Sequence, residues 1–316
     1  MSAIEVREFR RRDREQLTEL VNAHAAAVVP GLGVSVSALL SDLERQPGEA
    51  IVGPWVIERV TLVAEQLDRV VAAAHLLRYS ADESVGPYYR DSGEIHWLVF
   101  WPEAPEGNPF WPDATEAAGQ LIAACVGQLG EWKVSQHAGG ELPVRGIYGV
   151  PEQWPHISAL YQRAGFAHTG DTEVLYLAVV DELPQTARPP VPGLTVRRSV
   201  GINGTRLSAV LGEELIGYIE VEVFDEGERR SRHGGWADVG NLHVAGPYRR
   251  RGVATWLLGQ AAGWLRLGQV SRLLNYASLH APEPGVRDES GYRAFLAAAG
   301  FQELTRTRRG WTRPAP

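Results

Sequence analysis

The stretch His243 to Leu267, HVAGPYRRRGVATWLLGQAAGWLRL, constrains the fold of this chain more than any other. A short apolar run ends in three consecutive arginines and a glycine. The turn then opens into a segment whose Val253, Trp256, Leu257, Ala261, Trp264 and Leu265 recur at helical spacing. Such a stripe is built to lie on a sheet. The turn therefore sits at a helix N-terminus, where the first backbone N–H groups lack intrahelical partners and the macrodipole is positive. Gly252 lets the backbone approach an anion flanked by Arg249, Arg250 and Arg251, so a phosphate or pyrophosphate is the expected guest.

Composition makes that loop a local site. The 316 residues suggest two domains, with 44% hydrophobic and 22% charged residues, enough to bury real cores. A net charge of −7 argues against nucleic acid as a partner, because that partner needs a basic surface. Cys125 is the one cysteine, so no internal disulfide can form, and its neighbours in LIAACVGQL make it a core residue. The N-terminus, MSAIEVREFRRRDRE, is charged where a signal peptide is apolar, and no run reaches the length of a membrane span. The expected location is cytoplasmic, with no membrane contact. No paired-cysteine or His-Glu-x-x-His spacing suggests a metal, and no Gly-x-Ser-x-Gly elbow suggests a serine nucleophile.

Taken in order, the first half predicts a strand at 4–9, a helix capped by Asp13 with Leu17, Leu20, Val21 and His24 on one face, and a short helix at 36–43. A hairpin follows, 60–65 and 70–78, turning at Leu67-Asp68. Then come a strand at 94–101, a helix at 114–129 with Asp113 and Glu116 as a capping box, a strand at 144–150, a helix at 154–165 and a strand at 174–180. The segment 181–193, DELPQTARPPVPG, concentrates prolines and reads as a linker. The plan then restarts. LTVRRS at 194–199 parallels IEVREF at 4–9, and Gly300-Phe301 repeats Gly165-Phe166. The second half is shorter early on: Gly201 to Gly204 stands where the first half has two helices. Its predicted strands are 205–211, 215–223, 236–244 and 273–279, with a last helix at 292–299.

Arg249-Arg250-Arg251-Gly252-Val253-Ala254, set between a strand and an amphipathic helix, resembles the acyl-CoA loop of the GCN5-related N-acetyltransferases (GNAT): Gln or Arg, two residues, Gly, one residue, Gly or Ala. ALYQRAGF at 159–166 resembles the end of that family's last helix. The resemblance implies an α+β fold of two tandem acyl-CoA N-acyltransferase domains, each a mostly antiparallel sheet flanked by helices. Their expected bounds are 1–180 and 194–316, joined by 181–193. It implies acetyl-CoA as co-substrate, held by Leu242, His243, Val244, Arg249, Arg250, Arg251, Gly252, Val253, Ala254 and Thr255, and a small-molecule or peptide amine as acceptor. A monomer or homodimer is expected.

In the first half the corresponding stretch, PEAPEGNPFWPDATE, has no arginine and carries Asp113 and Glu116 at the helix start, where they would repel a pyrophosphate. That half is expected to be silent, with Trp97, Trp101, Phe110 and Trp111 available to fill a vacated cleft. Acyl transfer to an amine requires a base. Counting back from Val244, the family's carboxylate position on the fourth strand falls on Asp238, and His243 is the second candidate. The family's acidic tyrosine on the last helix is replaced here by Leu296; Tyr292 lies one turn earlier. The second expectation, of a different class, is a CoA-binding or structural pseudoenzyme without turnover.

Overall fold

The computed structural model describes residues 3–45, 55–101, 114–144, 146–185, 188–224, 235–279 and 289–314. The elements are β1 (Glu5–Glu8), α1 (Arg14–Val28), α2 (Val36–Leu43), β2 (Val56–Gln66), β3 (Arg69–Tyr79), β4 (Ser92–Phe100), α3 (Thr115–Trp132), β5 (Ser135–Ala138), β6 (Val150–Pro151), α4 (Pro155–Arg163) and β7 (Ala167–His168). They continue with β8 (Thr172–Val179), β9 (Leu194–Val200), β10 (Thr205–Leu211), β11 (Glu214–Val223), β12 (Gly235–Val244), α5 (Val253–Leu267), β13 (Val270–Ser278), α6 (Glu289–Ala298), β14 (Gln302–Arg308) and β15 (Trp311–Arg313).

These elements form two compact units, residues 1–172 with 306–316, and residues 173–305. In the first the strand order is β1-β2-β3-β4-β5-β15-β7. The β2–β3 hairpin turns at Leu67 and Asp68, both at positive φ, as the tight two-residue turn that matches strand twist requires. On α1 the predicted apolar face is buried, with Leu17, Leu20 and Val21 fully so. Asp13, expected to cap that helix with its side chain, instead accepts two hydrogen bonds from the Arg7 guanidinium, at 2.7 and 2.9 Å, and one from the Arg10 N–H. An arginine within reach outcompetes the helix amides for a carboxylate. The fifth strand, expected at 144–150, lies at Ser135–Ala138, and only Val150–Pro151 of the expected run is extended and paired. Four residues of mixed polarity leave no alternation to read.

The second unit's sheet runs β14-β8-β13-β12-β11-β10-β9. β12 and β13 are parallel; β13 with β8, and β9 through β12, pair antiparallel. α5 lies on this sheet, burying Val253, Trp256, Leu257, Leu258, Ala261, Ala262 and Leu265 in one core with Ile216, Ile219, Val221 and Leu273. Each large apolar side chain so buried contributes about 1.5–3 kcal/mol. Trp264, at the margin of the stripe, carries the Arg198 guanidinium 4.3 Å over its ring. As expected, β9 passes to β10 with no helix between them.

The units are cut differently from the expected 1–180 and 194–316. β8, read as the closing strand of the first half, belongs to the second unit between β13 and β14, while β15, from the end of the chain, belongs to the first unit between β5 and β7. Each unit thus takes one strand from the other half of the sequence. Strand pairing is non-local, so a boundary placed at a proline-rich segment marks where the chain is irregular, not where its contacts change hands.

Candidate functional site

The site begins where two strands part. β12 pairs with β11 from Ala237 to Val244, but with β13 only from Gly235 to Asp238. From Val239 onward its other edge pairs with no strand among the described residues. Near the same point the β11–β12 register shifts by one: Val221 faces Val239, Glu220 faces Asn241, and Gly240 is the extra residue. Directly opposed residues share a face. The bulge therefore brings Asp238, Asn241 and His243 onto the face of Glu222, Glu220 and Tyr218. In a regular strand the two candidate bases, five positions apart, would point to opposite faces.

Beyond the parting lies a cleft of about 610 Å³. Of the residues expected to hold the anion and its tail, Leu242, His243, Val244, Arg249, Arg250, Gly252, Val253, Ala254 and Thr255 line it. Arg251 does not: its guanidinium lies 5.5 Å from the Tyr248 ring centre, and the Tyr248 hydroxyl donates to Glu214 at 3.2 Å. Asp238 is not a lining residue either; it is buried where β12 and β13 still pair. Gly252 caps α5 at φ +81°, and Arg250 is also left-handed, at +58°. A Cβ at 252 would stand 3.2 Å from Pro190 Cβ. No side chain caps this helix and no acidic residue occupies its first turn, so the amide cluster is left for an anion. Arg249 Nε donates to the Val244 carbonyl at 3.0 Å.

The cleft is also lined by Asn241, Tyr248, Gly291, Tyr292 and Phe295. Tyr292, which sequence offered only as a neighbour of the expected acid, donates its hydroxyl to Asn275 Oδ1 at 2.9 Å and stacks on Phe295. Leu296, at the acid's usual position, is fully buried in the core. His243 is exposed, 5.7 Å from the Tyr218 ring, and Asn241 Nδ2 donates to the Tyr218 hydroxyl at 3.1 Å. Asn241 and Phe295 carry no sequence signal of their own. Gly240 does, since a glycine inside a strand marks a bulge or a close backbone approach.

The first unit differs at the matching place. Past Ala138 the chain stays bonded to β4: Gly139 N–H to the Ile95 carbonyl at 2.8 Å, and Glu141 N–H to that of His96 at 3.1 Å. The buried Tyr161 hydroxyl donates to the Gly139 carbonyl at 2.9 Å. Where β12 has no strand partner among the described residues, β4 is bonded at Ile95 and His96 by the chain's own backbone at 139–141. Trp97 is core, stacked on His75; Trp101 lies 6.5 Å from the ring of His24; Phe110, Trp111 and Asp113 fall outside the described residues. Glu94, on β4, accepts from Tyr79 at 2.7 Å and sits 3.3 Å from His96 Nδ1. Burial alone would raise the carboxyl and lower the imidazole. Their mutual bond prevails, holding Glu94 below its usual range and lifting His96 to about 9. Burial pushes the Cys125 thiol up, which fits a core residue and no nucleophile.

Comparison with known proteins follows the second unit. Residues 178–283 match the acetyltransferase (GNAT) family. Among solved structures, a tandem GNAT protein from the clavulanic acid biosynthesis pathway superposes with a TM-score of 0.65 at 15% identity, covering 99% of each chain. A GCN5-related N-acetyltransferase from Sphaerobacter thermophilus gives 0.60 at 14% identity, over 99% of this chain and 97% of the other. A GCN5-related glucosamine N-acetyltransferase region in a fungal multi-domain β-N-acetylglucosaminidase gives 0.64 at 13%, over 98% of this chain, which spans 38% of that longer one. At such identities these likenesses establish the tandem fold. No curated protein matches the sequence.

Proposed function

From the match of residues 178–283 to the acetyltransferase (GNAT) family, we propose that the second unit binds acetyl-CoA in the cleft beside β12 and transfers its acetyl group to the amine of a small molecule or peptide. The observation that carries this reading is the junction of two features: a strand edge with no strand partner from Val239 to Val244 among the described residues, and the uncapped, acid-free N-terminus of α5 with Gly252 at positive φ. An extended amide-bearing tail suits the first, and a pyrophosphate suits the second. Arg249 and Arg250 supply the flanking charge. The first unit, where residues 139–141 bond to β4 at Ile95 and His96, binds no CoA in this reading. The reaction implies the cytoplasm, where acetyl-CoA is available.

His243, in the cleft, takes the proton from the acceptor ammonium; Asp238 lies on the same face but is buried and outside the cleft lining. The freed lone pair attacks the thioester carbonyl, and a backbone N–H on the open edge of β12 meets the developing oxyanion. As the C–S bond breaks, the electron pair leaves on sulfur and takes up a proton, while the new C–N bond is kept and its nitrogen sheds its second proton, so that one proton reaches the thiol and one is released. Tyr292, whose hydroxyl is held by Asn275, lines the cleft from α6 and is the tyrosine placed to relay the thiol's proton. Thiol release from acetyl-CoA with a panel of amines tests this. His243→Gln is expected to lower kcat by about 10²–10⁴, the usual range for losing a general base. Undiminished turnover would remove His243 from that role. The buried leucine at 296 favours a second reading, a CoA-binding protein without turnover; CoA binding with no thiol release for any amine would support it.

A further inference from the structure

The second unit's four-residue turn does more than shorten the chain. Gly201 N–H donates to the Gly204 carbonyl at 2.8 Å, and Gly204 adopts φ +77°. Beneath the turn lies Glu220, 1% exposed. Its carboxylate accepts from Ile202 N–H at 3.1 Å, Asn203 Nδ2 at 3.3 Å and Arg206 Nε at 2.7 Å. A buried charge satisfied on this many sides is a fixed point. The turn it fixes rests on the bulge: a Cβ at Gly240 would fall on the Cβ of Asn203, and one at Gly201 on the Glu220 carboxylate. The Arg206 guanidinium lies 4.4 Å over the Tyr218 ring, against which His243 packs.

We propose that Glu220 is a positioning residue. It clamps the turn 201–204 onto Gly240, and so holds β12 parted from β13 with Asn241 and His243 turned to the cleft. The short turn then does for this unit what a longer covering segment would otherwise do: it backs the bulged strand. The assignment of a ligand to the cleft rests on the acetyltransferase reading; the clamp itself does not.

The test uses the full chain. In Glu220→Ala, amide hydrogen exchange over 239–244 is expected to rise about tenfold or more while that of α5 stays within about twofold, a local rather than global opening. Calorimetry with CoA should show affinity weakened about fivefold or more, with Glu220→Gln, which keeps an acceptor for Ile202 N–H, closer to wild type. Gly240→Ala should reproduce the loss without touching the carboxylate, and adding Asn203→Gly, which removes the clashing Cβ together with the longest of the three bonds to Glu220, should restore most of the protection. If Glu220→Ala does not fold, this pair decides. Unchanged protection in Glu220→Ala, or a Gly240→Ala defect that Asn203→Gly does not relieve, would overturn the clamp. Absence of CoA binding in wild type with these exchange effects intact would overturn the acetyl-CoA reading instead.

Discussion

Gly252 concentrates what the anion loop demands of one residue: a left-handed backbone, an approach to Pro190 that leaves a Cβ only 3.2 Å, and an uncapped helix above it. Gly252→Ala is expected to cost about 1–2 kcal/mol in backbone strain and to weaken CoA binding by about tenfold, read by calorimetry. Unaltered affinity would show that the loop tolerates another conformation. In the first unit, His24 and His156 meet Nε2 to Nε2 at 3.3 Å, and His24 Nδ1 donates to the Leu20 carbonyl at 2.8 Å. Burial lowers both imidazoles from 6.5 to about 4. The unfolded chain therefore binds more protons than the folded one between those values, and stability is lost as pH falls through that window. His24 alone accounts for on the order of 2–3 kcal/mol by pH 4.5. Thermal melting at pH 7 and pH 4.5 reads this directly; a first-unit transition that does not move would contradict it.

At the scale of elements, the exchanged strand β15 is the most exposed to test. Trp311 is fully buried, pairs across to Ala138 and His168, and packs its ring 5.7 Å from Tyr161. Trp311→Ala should cost about 3–5 kcal/mol, seen as a lower first-unit melting transition with the second unit's transition in place. Loss of both together would mean the units do not unfold separately. β15 is also where sequence reading runs out. Three residues at a chain end have no periodicity, and their place between β5 and β7 is decided by partners far away in sequence. α2 and α5, by contrast, were legible at their full extent, because a helix writes its own burial into its spacing. The bulge that aligns Asp238 with His243 had one local sign, Gly240, which counting along the strand passed over.

The whole molecule is a tandem whose two units differ, at the candidate site, beside β4 and β12. In the first, residues 139–141 bond to β4 at Ile95 and His96; in the second, β12 beyond Asp238 has no strand partner on that edge among the described residues and leads to the arginine loop. The loop was the most legible feature of the sequence because its chemistry lies within six consecutive residues. The bonding of 139–141 to β4 was not, because backbone bonds from Gly139 and Glu141 leave no mark on side-chain pattern. The central claim, one working cleft per chain in the second unit, is tested most directly by the stoichiometry of CoA in a calorimetric titration of the full chain, alongside Arg249→Glu with Arg250→Glu. One CoA per chain, abolished by the double charge reversal, is the predicted result. Two per chain, or one that survives the reversal, would contradict it.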